Sequence, residues 1–346
     1  MVGQGRRQAT ITQVAASAGV ARSTVSRAFS NPERLSAETV ARVLAVASEL
    51  GYTPNPVAQA LSTGRSRNIA LIVPDIANPF FPPLIRAAQR KAEQFDYHVF
   101  LGDTDEDPVR EDDLVERFAQ QVSGLILAST RLAEDHVRAH ARRRPLVLIN
   151  QDFPGMLRVL INSGSGVVEA VEHLAALGHR HIVYLSGPSV SWANRQRRTA
   201  LRHAAKNAGL EVSAVAAHKP SHEAGRAAAR QVISTGATAA FAFDDVLAQG
   251  LLAGLADSGV AVPDEFSVIG CDDVLGATTY PPLTTVSNRC IEVAEIAVSL
   301  LMETLRTGAT HDVRHVLETH LVVRGTTAPP RPAGSRKRPR QHAAEG

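Results

Sequence analysis

Seven short aliphatic runs between residues 69 and 272 constrain the fold of this sequence more than any other feature. They are IALIVPD (69–75), HVFLGDT (98–104), GLILAST (124–130), PLVLIN (145–150), HIVYLSG (181–187), AAFAF (239–243) and FSVIGCD (266–272). Helical patterns lie between them, at 83–95, 109–121, 166–177, 195–208, 222–235 and 246–258. Strands that are apolar on both faces and alternate with helices predict a parallel sheet covered by helices on both sides. Because these units are too many for one compact sheet, we predict two doubly wound halves that divide near residue 160.

Polar side chains follow several of these strands. They are Asp75, Asp103, Asn150, Asp244, Asp245, Asp272 and Asp273. Ligands of parallel sheets bind at the carboxyl ends of the strands, so two facing halves predict a cleft lined by these groups. Paired oxygen acceptors suit a polyhydroxylated ligand, and Arg197 can donate to its oxygens. Any one of these acids alone is more typical of a helix N-cap or a fold residue, so the indication comes from their concentration at one edge. The alternative for Arg197 is one of several surface arginines.

The first sixty residues predict a separate helical unit. Thr10 and Gln13 form a capping box for a helix that ends near Gly19, and a second helix follows over about residues 22–29. The small residue, glycine turn and apolar contact of a helix-turn-helix fall at Ala15, Gly19 and Val25. This spacing lets two helices cross closely.

A third helix completes this unit and leaves the second helix free to enter a DNA groove. Ser36 caps the third helix. Val40, Val43, Leu44, Ala47 and Leu50 are predicted to form its apolar face. The second helix presents Arg22, Ser23, Ser26 and Arg27 early in its length, where a recognition helix reads bases. The alternative is an ordinary exposed face rich in arginine and serine.

The charge distribution favours a polyanion as partner of the N-terminal unit. Residues 1–65 carry seven arginines and three glutamates, a net charge of +4. The last sixteen residues also carry +4, which leaves −5 for residues 66–330 of a chain whose total is +3. A small basic unit on a larger acidic body is typical of nucleic-acid binding.

Composition and termini indicate a cytoplasmic protein without cofactor or metal. Two cysteines, Cys271 and Cys290, form no CxxC pair and favour a reducing compartment. No apolar signal segment follows Met1. The sequence also contains no run of about 18 apolar residues, so no membrane-spanning helix is predicted. Gly164-Ser165-Gly166 lacks the third glycine of a nucleotide-binding turn. His136 and His140 lack a third metal ligand, which favours a solvated helix face.

The stretch TPNPVAQALSTGR, residues 53–65, predicts a helix of little more than one turn. Pro54 and Pro56 limit it, and a helix this short is unstable alone in water. It is either a linker or a segment that folds only when something holds it.

The N-terminal sequence resembles the DNA-binding domain of LacI/GalR-type transcription regulators. The resemblance is carried by "AGV..STVSR", "ELGY.PN..A..L" and the hinge PNPVAQAL. It implies base reading by Arg22, Ser23 and Arg27, and a hinge helix over 55–62 whose Leu61 inserts into the minor groove. The implied DNA-contact residues are Thr12, Arg22, Ser23, Thr24, Ser26, Arg27, Arg34, Asn55, Ala58 and Leu61. Ala21 stands where the family usually has a serine that caps the recognition helix.

The rest of the chain resembles the periplasmic-binding-protein-like (type I) effector domain of the same regulators. The motifs are "PDIANPFF", "GDTDEDP.RE", "HLAALGHRHIVYLSGP", "VPDEFSVIGCDD" and "YPPLTTV". They imply an effector cleft lined by Asp75, Phe80, Phe81, Asn150, Arg197, Asp244 and Asp272. Asp244 stands where the family often has an amide, and the loop at 218–220 lacks the aromatic residue that often stacks on a sugar.

These observations predict a DNA-binding transcription regulator that acts as a repressor. It is expected to bind a pseudo-palindromic operator as a homodimer. A small molecule is expected to control it, and a sugar is the commonest choice in the family. The predicted domains are a helix-turn-helix head (1–52), a hinge (53–66), an effector and dimerisation domain (67–328) and a disordered basic tail (329–346). Within the effector domain, subdomain one is about 67–160 plus 290–320, and subdomain two is about 161–289 plus 321–328. A small-molecule binding protein for transport and an α/β enzyme are the alternatives from other classes.

Overall fold

The structure is a computed structural model that describes residues 9–53, 66–217, 219–309 and 311–331. These residues form two compact units, with the boundary between Arg67 and Asn68. The predicted hinge contacts Asn55, Ala58 and Leu61 lie outside the described residues. Among the described helices, none combines the length and apolar character needed to cross a bilayer.

The smaller unit contains three α-helices, α1 (Ile11–Ala18), α2 (Arg22–Ser30) and α3 (Ala37–Glu49). The capping box is confirmed, since the amide of Gln13 donates to Thr10 Oγ1 and the amide of Thr10 donates to Gln13 Oε1. Gly19 ends α1 at a φ of 66°, a conformation that glycine adopts without strain. The sequence thus determines both ends of α1 locally.

The core of the smaller unit corrects the predicted face of α3. The core residues are Val14, Ala15, Ala18, Val25, Ala28, Val43 and Ala47, with Val46 packed against them. Leu44 and Leu50, which were expected to face inward, are 42% and 40% exposed. The buried side of α3 is a narrow stripe because α1 and α2 are short and rich in alanine, so they cover only part of its circumference.

The larger unit begins with a six-stranded parallel sheet within the described residues. Its strands are β1 (Asn68–Val73), β2 (His98–Asp103), β3 (Gly124–Ala128), β4 (Leu146–Ile149), β5 (Leu157–Asn162) and β11 (Arg314–Glu318), in the order β11-β5-β4-β3-β1-β2. Helices α4 (Phe81–Glu93) and α11 (Cys290–Thr307) cover one face, and α5 (Pro108–Ala119) and α6 (Glu134–Ala141) cover the other. Both faces of the central strands are therefore buried, as the continuous apolar runs predict.

The second sheet of the larger unit is built in the same way. Its strands are β6 (His181–Ser186), β7 (Glu211–Ala216), β8 (Ala239–Ala242), β9 (Ser267–Cys271), β10 (Thr284–Val286) and β12 (Leu321–Val322), in the order β12-β10-β9-β8-β6-β7. Among the described strands of this sheet, only β12 pairs antiparallel. Helices α7 (Ser163–Ala176) and α8 (Trp192–Ala208) pack on one face, and α9 (His222–Ser234) and α10 (Asp245–Asp257) pack on the other. The prediction of two doubly wound halves is confirmed.

The backbones of α9 and α10 touch at glycines. A Cβ atom at Gly250 would collide with the carbonyl oxygen of His222, and one at Gly225 with the carbonyl oxygen of Leu247. Both obstacles are backbone atoms of the facing helix, which cannot move aside as a flexible side chain would. The close packing of these helices therefore requires glycine at both positions.

Gly250→Ala should lower the free energy of unfolding of the larger unit by about 1–3 kcal/mol, because the added methyl group forces the two helices apart. Urea denaturation followed by circular dichroism measures this loss. The matched control is Ala256→Ser, an exposed site on the same helix, which should stay within about 0.5 kcal/mol of the wild type. Equal stability of both variants would show that the contact between α9 and α10 is looser than described.

Candidate nucleic-acid and ligand sites

The exposed side of α2 carries the sequence-predicted base readers. Arg22, Ser23 and Arg27 are exposed, and no described carboxylate forms an ion pair with either arginine. Thr24 and Ser26 are half-buried on the same helix. Thr12 on α1 and Arg34, in the 3₁₀ turn Pro32–Arg34, are exposed as well. The surface thus presents cations and hydroxyls without internal partners among the described acids, a composition that suits phosphates and base edges.

The N-terminus of α2 is open. Ala21 occupies the N-cap position and makes no side-chain hydrogen bond to the helix. The first amide groups of α2 therefore point outward without the hydroxyl acceptor that a serine would supply. Such amides can donate to an external phosphate oxygen.

The carboxyl ends of the two sheets line a cleft that contains about 420 Å³ of space free of atoms, part of it open to solvent. The lining residues are Asn78, Phe80, Phe81, Glu106, Ser129, Arg131, Asn150, Ser191, Ala193, Arg197, Pro220, Phe243, Asp244 and Asp272. Six of the seven sequence-predicted effector residues are therefore brought together, and Asp75 is absent from the lining.

Arg197 is a buried cation of the cleft, only 6% exposed. Its Nη2 donates to Asp272 Oδ1 at 2.7 Å, its Nε donates to Ser163 Oγ at 3.2 Å, and its Nη1 donates to the carbonyl oxygen of Phe243. The guanidinium also lies 4.9 Å from the centre of the Phe243 ring. Burial disfavours the charge, but Asp272 more than offsets this, and the pKa of Arg197 is raised. Arg197 thus holds the ends of β8 and β9 together.

Asp244 joins the two sheets across the cleft. Its Oδ1 accepts the amide of Leu247 at 2.8 Å and so caps α10, while its Oδ2 accepts Asn78 Nδ2 at 3.1 Å. Asn78 belongs to the loop after β1, in the first half of the unit. Burial, followed by the charge of Asp272, raises the pKa of Asp244 to about 7. The charge that distinguishes this position from an amide is therefore only partly present at neutral pH.

A second buried ion pair lines the opposite wall and was missed by the sequence analysis. Arg131 Nε lies 2.5 Å from Glu106 Oε2 and Nη2 lies 2.9 Å from Glu106 Oε1, which is a two-point contact. Nη1 donates to the carbonyl oxygen of Ser129 at 2.7 Å. Glu106 and Arg131 follow β2 and β3, so the rule that ligand-binding groups follow strands would have found them.

Left-handed backbone conformations concentrate at the same edge. The cleft-lining residues Glu106, Ser129, Asn150 and Asp272 have φ values of 64°, 53°, 53° and 106°. Residues other than glycine adopt such conformations at a cost of about 1–3 kcal/mol each, and they cluster at functional sites. Here they turn the chain sharply after β2, β3, β4 and β9, which brings polar groups into the cleft.

Comparison with known proteins identifies the family. Residues 10–55 match the family described as bacterial regulatory proteins, lacI family, and residues 171–327 match a periplasmic binding protein-like domain. The HTH-type transcriptional regulator DegA of Bacillus subtilis (strain 168) is 34% identical over 331 residues, which cover 92% of this chain and 98% of DegA. The chain belongs to the LacI family.

Two solved structures of similar architecture support this assignment. The lac repressor dimer bound to operator and the anti-inducer ONPF has a TM-score of 0.83 and 27% identity, covering 93% of this chain and all of that one. The complex of the transcriptional regulator CelR with cellobiose has a TM-score of 0.69 and 28% identity, covering 92% and 99%. This LacI-family chain is a DNA-binding transcription regulator, and the alternatives of an enzyme and of a transport protein are wrong.

Several strand-end acids of the LacI-family cleft serve the fold. Asp75 Oδ1 accepts the amide of Ala77 at 2.8 Å in a local turn. Asp245 accepts the hydroxyl of Thr285 at 2.6 Å and the amides of Val274 and Leu275. Asp103 accepts the amide of Ile76 at 3.1 Å, and Asp273 pairs with Arg324 at 2.7 Å. A strand-end carboxylate alone therefore does not identify a ligand contact.

The structure also bears on the predicted environment of two histidines and on the role of the glycines at the start of α7. His140 was expected on a solvated helix face, but it is only 7% exposed and lies 2.7 Å from Asp112 Oδ1. This prediction was wrong because α5 packs against α6 and covers His140, while His136 remains exposed. A Cβ atom at Gly166 would collide with Val286, so this glycine serves the close packing of α7, as expected.

Proposed function

We propose that this regulator is a repressor that binds a pseudo-palindromic operator as a homodimer and whose affinity for DNA is set by a carbohydrate in the cleft. The hydrogen bond from Asn78 to Asp244 carries the proposal, because it couples the two halves of the larger unit at the ligand site. A ligand that opens or closes the cleft changes this contact, and by linkage it changes operator affinity by the same factor as the operator changes ligand affinity. We assign the function to the cytoplasm, where operator DNA is available.

In this proposal α2 enters the major groove. Arg22, Ser23 and Arg27 contact base edges, since the N-terminal part of a recognition helix faces them. Thr12, Thr24, Ser26 and Arg34 bind phosphates, and so do the uncapped amides behind Ala21. Asn55, Ala58 and Leu61, outside the described residues, complete the contact as a hinge segment in the minor groove.

The proposed effector residues are Phe80, Phe81, Asn150, Arg197, Asp244 and Asp272, with Asp75 at the edge of the site. Phe80 and Phe81 supply apolar surface for a sugar ring, while the carboxylates and amides accept from its hydroxyls. The cellobiose of the CelR complex and the DNA of the lac repressor complex are the ligands that similar chains hold. We therefore place the carbohydrate between the ends of the two sheets.

A gel-shift assay with fragments of total genomic DNA tests the proposal. The full chain should select a small set of fragments, and cellobiose, ribose or another sugar should change its affinity for them. Binding that is equally strong for every fragment would refute operator recognition. Selective binding that no sugar alters would leave the DNA function and refute the proposed effector class.

Arg27→Ala should weaken binding by about 1–3 kcal/mol at one base-pair position of the operator and relax specificity there, because a two-point contact with guanine is lost. Fluorescence anisotropy with a set of single-base operator variants measures the change.

The matched comparison is Arg34→Ala, which should weaken binding to all sequences alike and reduce the salt dependence by about one phosphate contact. If Arg27→Ala weakened specific and random DNA equally, its assignment as a base reader would be wrong.

A further inference from the structure

The cations of the cleft are already paired with the chain's own acids. Among the described lining residues, only Arg131 and Arg197 are cationic, whereas Glu106, Asp244 and Asp272 are acidic. An anionic ligand needs a cation or an unoccupied set of donors, because burying a charge without a partner is costly. The state of these two arginines therefore determines which ligand charge the cleft accepts.

Arg131 forms a closed pair with Glu106. Two of its nitrogens contact both carboxylate oxygens of Glu106, and the third donates to the carbonyl oxygen of Ser129. The side chain of Arg131 is only 4% exposed and that of Glu106 is 15% exposed. This two-point geometry is the one that arginine uses to bind an external carboxylate or phosphate, so Glu106 occupies the position of such a ligand.

Arg197 is occupied in the same manner on the opposite wall. Asp272, the carbonyl oxygen of Phe243 and the hydroxyl of Ser163 each accept from one of its three nitrogens. A ligand anion could reach Arg197 only by competing with Asp272, itself only 7% exposed. At the edge of the cleft, Lys219 Nζ also lies 2.6 Å from Asp105 Oδ1.

The helices that start at the cleft provide no free anion site either. Asn78 Oδ1 accepts the amide of Phe80 at 3.0 Å before α4, Ser191 Oγ accepts that of Asn194 at 3.3 Å in α8, and Asp244 Oδ1 accepts that of Leu247 at 2.8 Å in α10. Asp244 places an acid where a phosphate would otherwise bind. An anion would meet this carboxyl group instead of free amides.

We infer that the effector is an uncharged polyhydroxylated molecule, and that Glu106, by closing Arg131, excludes counterparts carrying a phosphate or carboxylate group. The inference rests on the proposed function and narrows its ligand class by charge. Hydroxyl groups of a neutral sugar can donate to Glu106, Asp244 and Asp272 and accept from the N–H groups of the arginines that remain unpaired, without separating either ion pair. Glu106 is thus a specificity residue that sequence analysis did not identify.

Thermal unfolding of the full chain with inorganic phosphate, at matched ionic strength in chloride, tests the inference without knowledge of the natural ligand. The wild type should show no phosphate-specific rise in Tm. Glu106→Gln keeps the size of the side chain but leaves the charge of Arg131 unbalanced, so it should bind phosphate roughly tenfold or more tightly than the wild type. Glu116→Gln is the matched control, because it releases the exposed Arg143 outside the cleft and should gain nothing.

A second variant covers the case in which Glu106→Gln fails to fold. Asp105→Asn releases Lys219 from an exposed pair and should also gain phosphate binding, though more weakly. A phosphate-specific stabilisation of the wild type that Arg131→Ala removes would overturn the inference. So would a folded Glu106→Gln variant that gains no more than Glu116→Gln.

Calorimetry with matched pairs separates this inference from the proposed function. Ribose, glucose and cellobiose are compared with ribose 5-phosphate, glucose 6-phosphate and cellobiose 6-phosphate. If the protein binds a neutral sugar but not the phosphorylated form of that sugar, the result supports both the charge inference and the proposed function. Tighter binding of a phosphorylated member, with a change in operator affinity, overturns the inference and keeps the proposed function. If phosphate behaves as expected but no sugar of either kind alters operator affinity, the charge inference stands and the carbohydrate effector is refuted.

Discussion

Arg197→Ala should lower the free energy of unfolding of the larger unit by about 3–5 kcal/mol, because it leaves Asp272 buried without its partner. The pair is well suited to show such an effect, since Arg197 and Asp272 are only 6% and 7% exposed. The lost contacts to Ser163 and Phe243 act in the same direction. Urea denaturation of the full chain, followed by circular dichroism, measures the loss.

The same variant should lose the response of operator binding to the effector. Arg197 holds the ends of β8 and β9, where the ligand is proposed to bind, so its removal alters both the wall and the charge of the cleft. The assay is an effector titration of operator binding at a temperature well below the Tm of the variant. Because the proposed DNA contacts lie in the helical unit and not in the cleft, the variant should retain operator binding in the absence of effector.

A control and a compensated variant keep this prediction decisive. Arg195→Ala changes an exposed arginine two residues away and should be nearly neutral in both assays. Arg197→Met combined with Asp272→Asn removes both charges and keeps a residue that tolerates the φ of 106° at position 272. This double variant should recover part of the stability but none of the effector response. Recovery of the response in this double variant would show that the ion pair acts only on stability.

The sequence was sufficient to locate the cleft because the residues that mark the end of each strand are neighbours in the sequence. Each buried strand ends where an aliphatic run meets Asp, Asn or a turn, and the carboxyl ends of parallel strands share one edge. Asn150, Asp244 and Asp272 meet in the lining for this reason. The caps of α1 and α3 were predictable on the same ground, since a capping side chain and its amide lie three residues apart.

The parts that were missed depend on long-range partners. β5 contains Arg158, a polar interruption of an apolar run, and becomes a buried strand because Asp152 and Asp312 pair with that arginine. β10 is three residues long and is defined by its neighbours β9 and β12. The pairing of a strand arginine with acids in loops cannot be read from hydrophobic periodicity.

The same reasoning explains errors in individual roles. Whether Asp75 or Glu106 faces the ligand depends on backbone turns after β1 and β2, which no local propensity determines. Leu44 and His140 were placed on the wrong side of their helices because the extent of the covering surface is a property of the neighbouring helices. The sequence thus predicted where the polar groups gather but not which of them remain available to a ligand.

Asp244→Asn should make the larger unit more stable than the wild type at pH 8, by up to about 4 kcal/mol, and should remove part of the pH dependence of stability. Burial, with the charge of Asp272, raises the pKa of Asp244 from 3.8 to about 7. A pKa raised on folding means that the native state favours the protonated acid. The contribution of Asp244 to the stability of the folded wild type is therefore complete at acid pH and is lost as the pH rises from about 4 through about 7. Asparagine does not titrate and can still cap α10 through its side-chain oxygen.

Urea denaturation at several pH values between 4 and 8 measures the predicted slope. Burial also raises the pKa of the neighbouring Asp245 to about 7. The Asp244→Asn variant should therefore keep the part of the pH dependence of stability that comes from Asp245. The matched control is Asp107→Asn, which changes an exposed N-cap acid at α5 and should keep the wild-type slope. A gap between the Asp244→Asn variant and the wild type that is as large at pH 4 as at pH 8 would exclude titration of Asp244 as the cause. The effect would then arise from the hydrogen bond with Asn78, because that contact is lost or kept equally at both pH values.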